Sequence, residues 1–237
     1  MSLFNPDAQL QVIELEGGRS CLVIDDALLE PERVLEYATA HRGAFQSVDF
    51  SKYPGTWLEP PAPLAEALVD CFRQGVRRRF DARRLVFAHI RLSLATLPAA
   101  ALRPRQWFCH IDNFLLPPHE SMQASVLYLY RDAQLGGTGF YVHAKPEAEV
   151  EAMLKLADTL PAEVFAQQTG LRPGYLCDSN AWFRRIGGVD AKWNRLIFYD
   201  GGMLHSAEIA HPERLSDDPA AGRLTLNGFY TCRRNLA

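Results

Sequence analysis

The chain has 237 residues, 48% of them hydrophobic and 22% charged, and a formal net charge of −3. That balance describes a soluble globular protein long enough to bury a substantial core, and it gives no electrostatic case for nucleic acid or an anionic membrane as a partner. The five cysteines stand apart without a C-x-x-C pair, which reads as reduced thiols in a reducing compartment. Without a basic leader ahead of an apolar core, or an apolar run of spanning length, the expected location is cytoplasmic.

Residues 9–16 alternate as a strand, Gly17-Gly18 turns the chain, and Cys21 to Asp25 forms a second strand, giving a hairpin. Leu28-Leu29-Glu30-Pro31-Glu32 opens a helix, with proline and acidic residues in the first turn. Residues 44–62 lack a period. Their Tyr53–Trp57 stretch reads either as a surface loop with a structural Trp or as a lid over a pocket. A second helix is expected over 64–80. From Leu85 the period becomes two, with Ile90, Leu92 and Leu94 on one face and His89 and Arg91 in mid-strand. The clusters Arg77–Arg79, Arg83–Arg84 and Arg233–Arg234 read as solvated faces.

Strands are further expected at 122–130, 140–143, 181–187, 195–200, 203–208 and 223–232. A helical insertion over 146–168 interrupts them. With no internal repeat and no linker, residues 1–237 read as one domain: N-terminal strands and supporting helices over 1–100, and a β-rich core over 105–232. Two helices followed by many strands suggest a β-rich α+β sandwich or barrel with helices packed outside.

One short stretch carries chemistry. In Trp107-Phe108-Cys109-His110-Ile111-Asp112-Asn113, His110 and Asp112 share a face if this is the end of a strand. They would supply two ligands of a 2-His-1-carboxylate metal site. A lone His-x-Asp in a chain with seven histidines is common, so the rest of the chain has to complete the site. His205, after the Asp200-Gly201-Gly202 turn, fits as third ligand. His143 at a strand end is its main rival, with His119 and His211 less suited. Eighteen residues after His205, Arg223 shares a strand face with Thr225 and Asn227. A guanidinium pointing into a sandwich interior needs an anion, and a carboxylate is its natural bidentate partner. The phenol of Tyr128 could donate to the same carboxylate. Asn113, Trp182, Phe183 and Asn227 are candidates for a substrate pocket, the two aromatics equally candidates for core.

In this order, His110-x-Asp112, Tyr128, Gly136-Gly137, Asn194 to Tyr199, His205 and Arg223-x-Thr225 resemble the Fe(II)/2-oxoglutarate-dependent dioxygenases, most of all their prolyl-4-hydroxylase-like branch. The resemblance spans about residues 105–232, and Val23 to Pro31 is similar to the usual start of such domains. It implies a double-stranded β-helix of the jelly-roll or cupin type. It implies Fe(II) on His110, Asp112 and His205, and 2-oxoglutarate on Arg223, assisted by Tyr128 and Thr225. It implies hydroxylation of a small-molecule, peptide or protein substrate, since the Asp112 carboxylate occupies the position that halogenases free for chloride. A non-catalytic cupin-like binder, or a Zn(II) enzyme on the same triad, would share these residues. The sequence leaves the assembly open; a homodimer is compatible with it. The insertion departs from the family pattern and bears on the substrate.

Overall fold

The structure, a computed structural model, describes residues 3–47, 53–112 and 116–236. Strands β1 (Leu10–Leu15) and β2 (Arg19–Ile24) form the expected hairpin. Gly17 and Gly18 turn it at φ values of 75° and 70°, a region that other residues resist. Helix α1 (Pro31–Ala40) starts on its proline and α2 (Ala62–Cys71) carries one in its first turn. The helix expected over 64–80 is α-helical only to Cys71; it widens into a π-turn over Phe72–Val76 and tightens into a 3-10 turn over Arg77–Arg79. Phe72 and Val76 are both buried there, while the arginine run turns toward solvent and leaves the helix nothing to pack.

The remaining strands are β3 (Gln46–Ser47), β4 (Gly55–Leu58), β5 (Arg84–Ala95), β6 (Glu120–Tyr128), β7 (Thr138–His143), β8 (Phe183–Val189), β9 (Arg195–Asp200), β10 (Leu204–Ala207) and β11 (Arg223–Arg233). They form an antiparallel eight-stranded sheet in the order β1-β2-β9-β6-β11-β5-β4-β3 and a three-stranded sheet in the order β10-β7-β8. One face of the large sheet sends Ile90, Leu92, Leu94, Leu127, Leu224 and Leu226 against α1 and α2, where they meet Val34, Ala38, Leu68 and Phe72. Each such leucine contributes about 1.5–3 kcal/mol, so alternation fixes which face of β5 and β11 turns outward. The other face brings Ala124, Tyr128, Ile197 and Tyr199 against Phe140, Ile186 and Val189 of the small sheet. This is the double-stranded β-helix with outer helices that the sequence led us to expect.

The insertion is two helices, α3 (Glu147–Thr159) and α4 (Ala162–Thr169), broken at Pro161. Val150, Met153 and Phe165 pack on Trp107, Phe108, Cys109 and Phe183, just before the His-x-Asp. Phe183 is therefore core. Trp182 packs against the same cluster and donates its indole N–H to Thr169 O at 2.9 Å.

Two expectations are corrected. Residues 55–58 are not a loop or lid but strand β4, with Trp57 opposite Ser93 of β5. Its short length and lack of alternation hid it. His110–Asp112 is not the end of a strand: His110 makes one bridge, to His205, and the chain bends at Asp112. No helix among the described residues is long and apolar enough to cross a membrane.

Candidate metal centre and its anion pocket

Backbone hydrogen bonds bring the three candidate ligands together. The amide of His110 donates to His205 O and that of His205 to His110 O, both at 2.9 Å. The β9–β10 turn holds the third: the Asp112 amide donates to Gly201 O at 2.7 Å, and the Gly201 amide to Met122 O at 2.9 Å. Gly201 has room for little else, since a Cβ there would stand 3.0 Å from Met122 Cγ and 3.2 Å from Asp112 Cβ.

The side chains then converge. His110 Nε2 lies 3.6 Å from Asp112 Oδ1, and His205 Nε2 lies 3.4 Å from Asp112 Oδ2. One ligand atom from each residue falls within 4.8 Å of the others. His205 Nδ1 donates to Met203 O at 2.9 Å, which leaves the Nε2 lone pair facing Asp112. His205 is buried and Asp112 nearly so, with 7% and 10% of their side-chain surface exposed, whereas His110 is 50% exposed. Burial pushes the Asp112 carboxyl up, against the pull of His205 and Arg91. Its Oδ2 is buried with no hydrogen-bond partner among the described residues, a costly state for a carboxylate. A divalent cation between these donors relieves that cost, so the residues present fit a metal of the 2-His-1-carboxylate class.

Beside this cluster, the inner face of β11 carries Arg223, Thr225 and Asn227, all buried. Arg223 donates from Nε to Leu135 O at 2.9 Å and from Nη2 to Gly137 O at 3.0 Å. The Gly136-Gly137 pair makes this possible. Gly136 has φ 79° and a Cβ there would be 1.9 Å from Glu208 O; at Gly137 it would be 2.1 Å from Val189 O. No carboxylate pairs with Arg223 among the described residues, and aromatic rings flank it instead, Tyr130 at 5.6 Å. A buried cation held only by carbonyls and phenols fits an incoming carboxylate.

The expected helpers, Tyr128 and Thr225, face each other across β6 and β11. The Tyr128 hydroxyl shares a hydrogen bond with Thr138 Oγ1 at 2.7 Å, and the phenol lies within electrostatic reach of Arg223. Burial pushes the phenol's pKa well up. Thr225 Oγ1 reaches Ser93 O at 3.4 Å. Asn227 donates to Ser93 Oγ at 2.9 Å and keeps a buried Oδ1 without a partner. The rival histidines lie outside the cluster: His143 is exposed at the end of β7, His119 is exposed in a turn, and His211 pairs with Glu213 at 3.0 Å. Asn113 lies outside the described residues.

Sequence reasoning missed a residue. Arg91, opposite Asn227 on β5, has its guanidinium carbon 3.5 Å from the Trp57 ring centroid and 4.7 Å from that of Phe229. Its Nε is buried without a partner. Burial lowers its pKa to about 10, opposed by Tyr53, Asp112 and Tyr199. The signal was in the alternation: once Ile90 and Leu92 face the helices, Arg91 must face inward.

A family model described as "Family of unknown function (DUF6445)" matches residues 6–230, and the chain belongs to that family. No curated protein matches it. Among solved structures it is similar to the non-heme alpha ketoglutarate dependent carbocyclase SnoK from nogalamycin biosynthesis, at 13% identity and TM-score 0.50, covering 91% of this chain and 80% of that one. It is also similar to the epimerase SnoN of the same biosynthesis, at 13% identity and TM-score 0.47 over 91% and 81%. A third is HygX from Streptomyces hygroscopicus, solved with nickel and 2-oxoglutarate bound, at 11% identity and TM-score 0.42 over 90% and 82%. At that identity the likeness to SnoK shows the fold alone.

Proposed function

We propose that the chain is an Fe(II)- and 2-oxoglutarate-dependent oxygenase, with the motif order of the prolyl-4-hydroxylase-like branch. It hydroxylates an unactivated C–H bond of an amino-acid, peptide or small-metabolite substrate. The observation that carries the reading is the convergence of His110, Asp112 and His205 within 4.8 Å inside a double-stranded β-helix. Those three residues would hold the metal, and Arg223 the distal carboxylate of the cosubstrate, with Tyr128 and Thr225 assisting it. When bound, the metal and cosubstrate supply the oxidation: O₂ is consumed, 2-oxoglutarate becomes succinate and CO₂, and one oxygen enters the substrate.

The chain's own residues bind, orient and exclude water. The Met203 carbonyl holds His205 in the tautomer that presents Nε2. Gly201 fixes Asp112 through its carbonyl. The carbonyls of residues 135–137 grip one edge of Arg223, which pre-orients the guanidinium before the cosubstrate arrives. Trp107, Phe108 and the insertion helices form a dry wall behind the His-x-Asp. The exposed His110 side is the open side of the centre, by which a substrate would approach.

The test is anaerobic addition of Fe(II) and 2-oxoglutarate. The expected result is a visible charge-transfer band, and succinate formation once a substrate is supplied. Absence of the band in the wild type, together with no effect of His205→Ala on metal binding, overturns the reading.

A further inference from the structure

We propose that Arg91 is a second anion-binding group of the same pocket and that it receives a carboxylate carried by the substrate. The inference rests on the oxygenase reading and deepens it by naming a substrate class.

Three observations carry it. First, the Arg91 guanidinium makes no hydrogen bond and no ion pair among the described residues, and its buried Nε lacks a partner. Native structures rarely tolerate such a group without a ligand. Second, its faces are taken: Trp57 and Phe229 stack at 3.5 and 4.7 Å, and Tyr53 stands at 5.9 Å. Rings on the faces leave only the in-plane N–H edge, the edge that grips a carboxylate through two bonds. Third, charge is in excess. A divalent cation against the Asp112 carboxylate and a dianionic cosubstrate leaves one negative charge, which Arg223 neutralises. The phenols beside Arg223 add none, because burial raises Tyr128 and Tyr130, the latter to about 12. Arg91 is then the uncompensated cation, and a monoanionic substrate closes the balance. Asn227 lies directly opposite on β11 with a free buried Oδ1, an acceptor for an N–H or O–H of the same molecule.

The probes are acetate, butyrate and 3-phenylpropionate, each paired with its amide. They are titrated into protein loaded with redox-inert Mn(II) and 2-oxoglutarate, and binding is followed by fluorescence of Trp57, with Trp57→Phe assigning the signal. The acids should bind at least about tenfold more tightly than the amides, as expected for a charge-assisted bond to a desolvated group. Arg91→Met and Arg91→Gln should erase that preference while 2-oxoglutarate affinity, measured calorimetrically, stays within about threefold; Arg91→Lys should keep part of it. Equal binding of acid and amide, or no saturable response to any acid, overturns the proposal. So does loss of 2-oxoglutarate affinity in Arg91→Met, which would make Arg91 part of the cosubstrate site. A sulfonate analogue that binds ahead of the carboxylates overturns the assigned class. If wild-type protein fails to bind 2-oxoglutarate at all, the oxygenase reading falls, and the acid-over-amide preference measured on Mn(II)-loaded protein alone still decides Arg91.

Discussion

Gly201→Ala changes no ligand, yet the structure expects it to damage the metal centre. The added methyl would meet Met122 Cγ at 3.0 Å, Met122 O at 3.1 Å and Asp112 Cβ at 3.2 Å. The methionine side chain can swing away, but Met122 O is bonded to the Gly201 amide at 2.9 Å and belongs to β6. The strain therefore falls on Asp112, which must retreat by a few tenths of an ångström. Metal sites tolerate ligand errors of only about 0.2 Å, and disturbing the support of a ligand costs about 10–100-fold in metal affinity. That corresponds to about 1.4–2.8 kcal/mol. Folding should suffer less, because the strain falls on one side chain beyond the end of β9 and no core contact is removed; a melting temperature within about 4 °C of wild type is expected. Anaerobic calorimetric titration with Fe(II), and with Mn(II) as a redox-inert control, measures the affinity. An affinity within twofold of wild type, in a variant that melts normally, would refute the argument that Gly201 positions Asp112.

Other outcomes follow from the same contacts. His205→Ala should lower metal affinity by about 100-fold or more, while His143→Ala, remote from the cluster, should leave it unchanged in the same titration. Arg223→Met should lower 2-oxoglutarate affinity by about 100-fold. It should also melt lower, by an amount equivalent to about 1–3 kcal/mol, because buried carbonyls of residues 135–137 lose their donor; unchanged melting would argue against that grip. Asp25 is held to a pKa of about 2 by Arg195, bonded at 2.6 and 3.0 Å, and by Lys192. A lowered carboxylate pKa stabilises above the unfolded value of about 3.8, and the contribution is lost as pH falls from there toward 2. After discounting for solvent screening, Asp25→Asn should cost about 1 kcal/mol at pH 7, about 2–4 °C in melting temperature. The difference should narrow as pH falls below about 3.8 and close only as it approaches 2 in thermal melts.

The sequence by itself named the candidate ligands, their order and most of the strands. His110, Asp112 and His205 are read from residue chemistry and from the Asp200-Gly201-Gly202 turn, both local in the chain. The strand at 195–200 is found as expected, because its apolar run can serve no other purpose. Arg223 was legible as an inward cation because period-two alternation assigns faces without knowing the partner strands.

What only the tertiary structure decided depends on pairings far apart in sequence. His110 and Asp112 converge through one bridge to His205 and one turn carbonyl, not through the strand alternation that the motif suggested. β4 exists because β5 offers it an edge, and four residues of no clear period cannot announce that. The Tyr128 hydroxyl meets that of Thr138, ten residues on in the chain. Arg91 could be placed inward from its own strand, but its lack of a counter-ion, and the rings of Trp57 and Phe229 on its faces, required the register of β4, β5 and β11. Ligand identity is a local property of the chain. Whether a buried charge has found a partner is a property of everything packed around it.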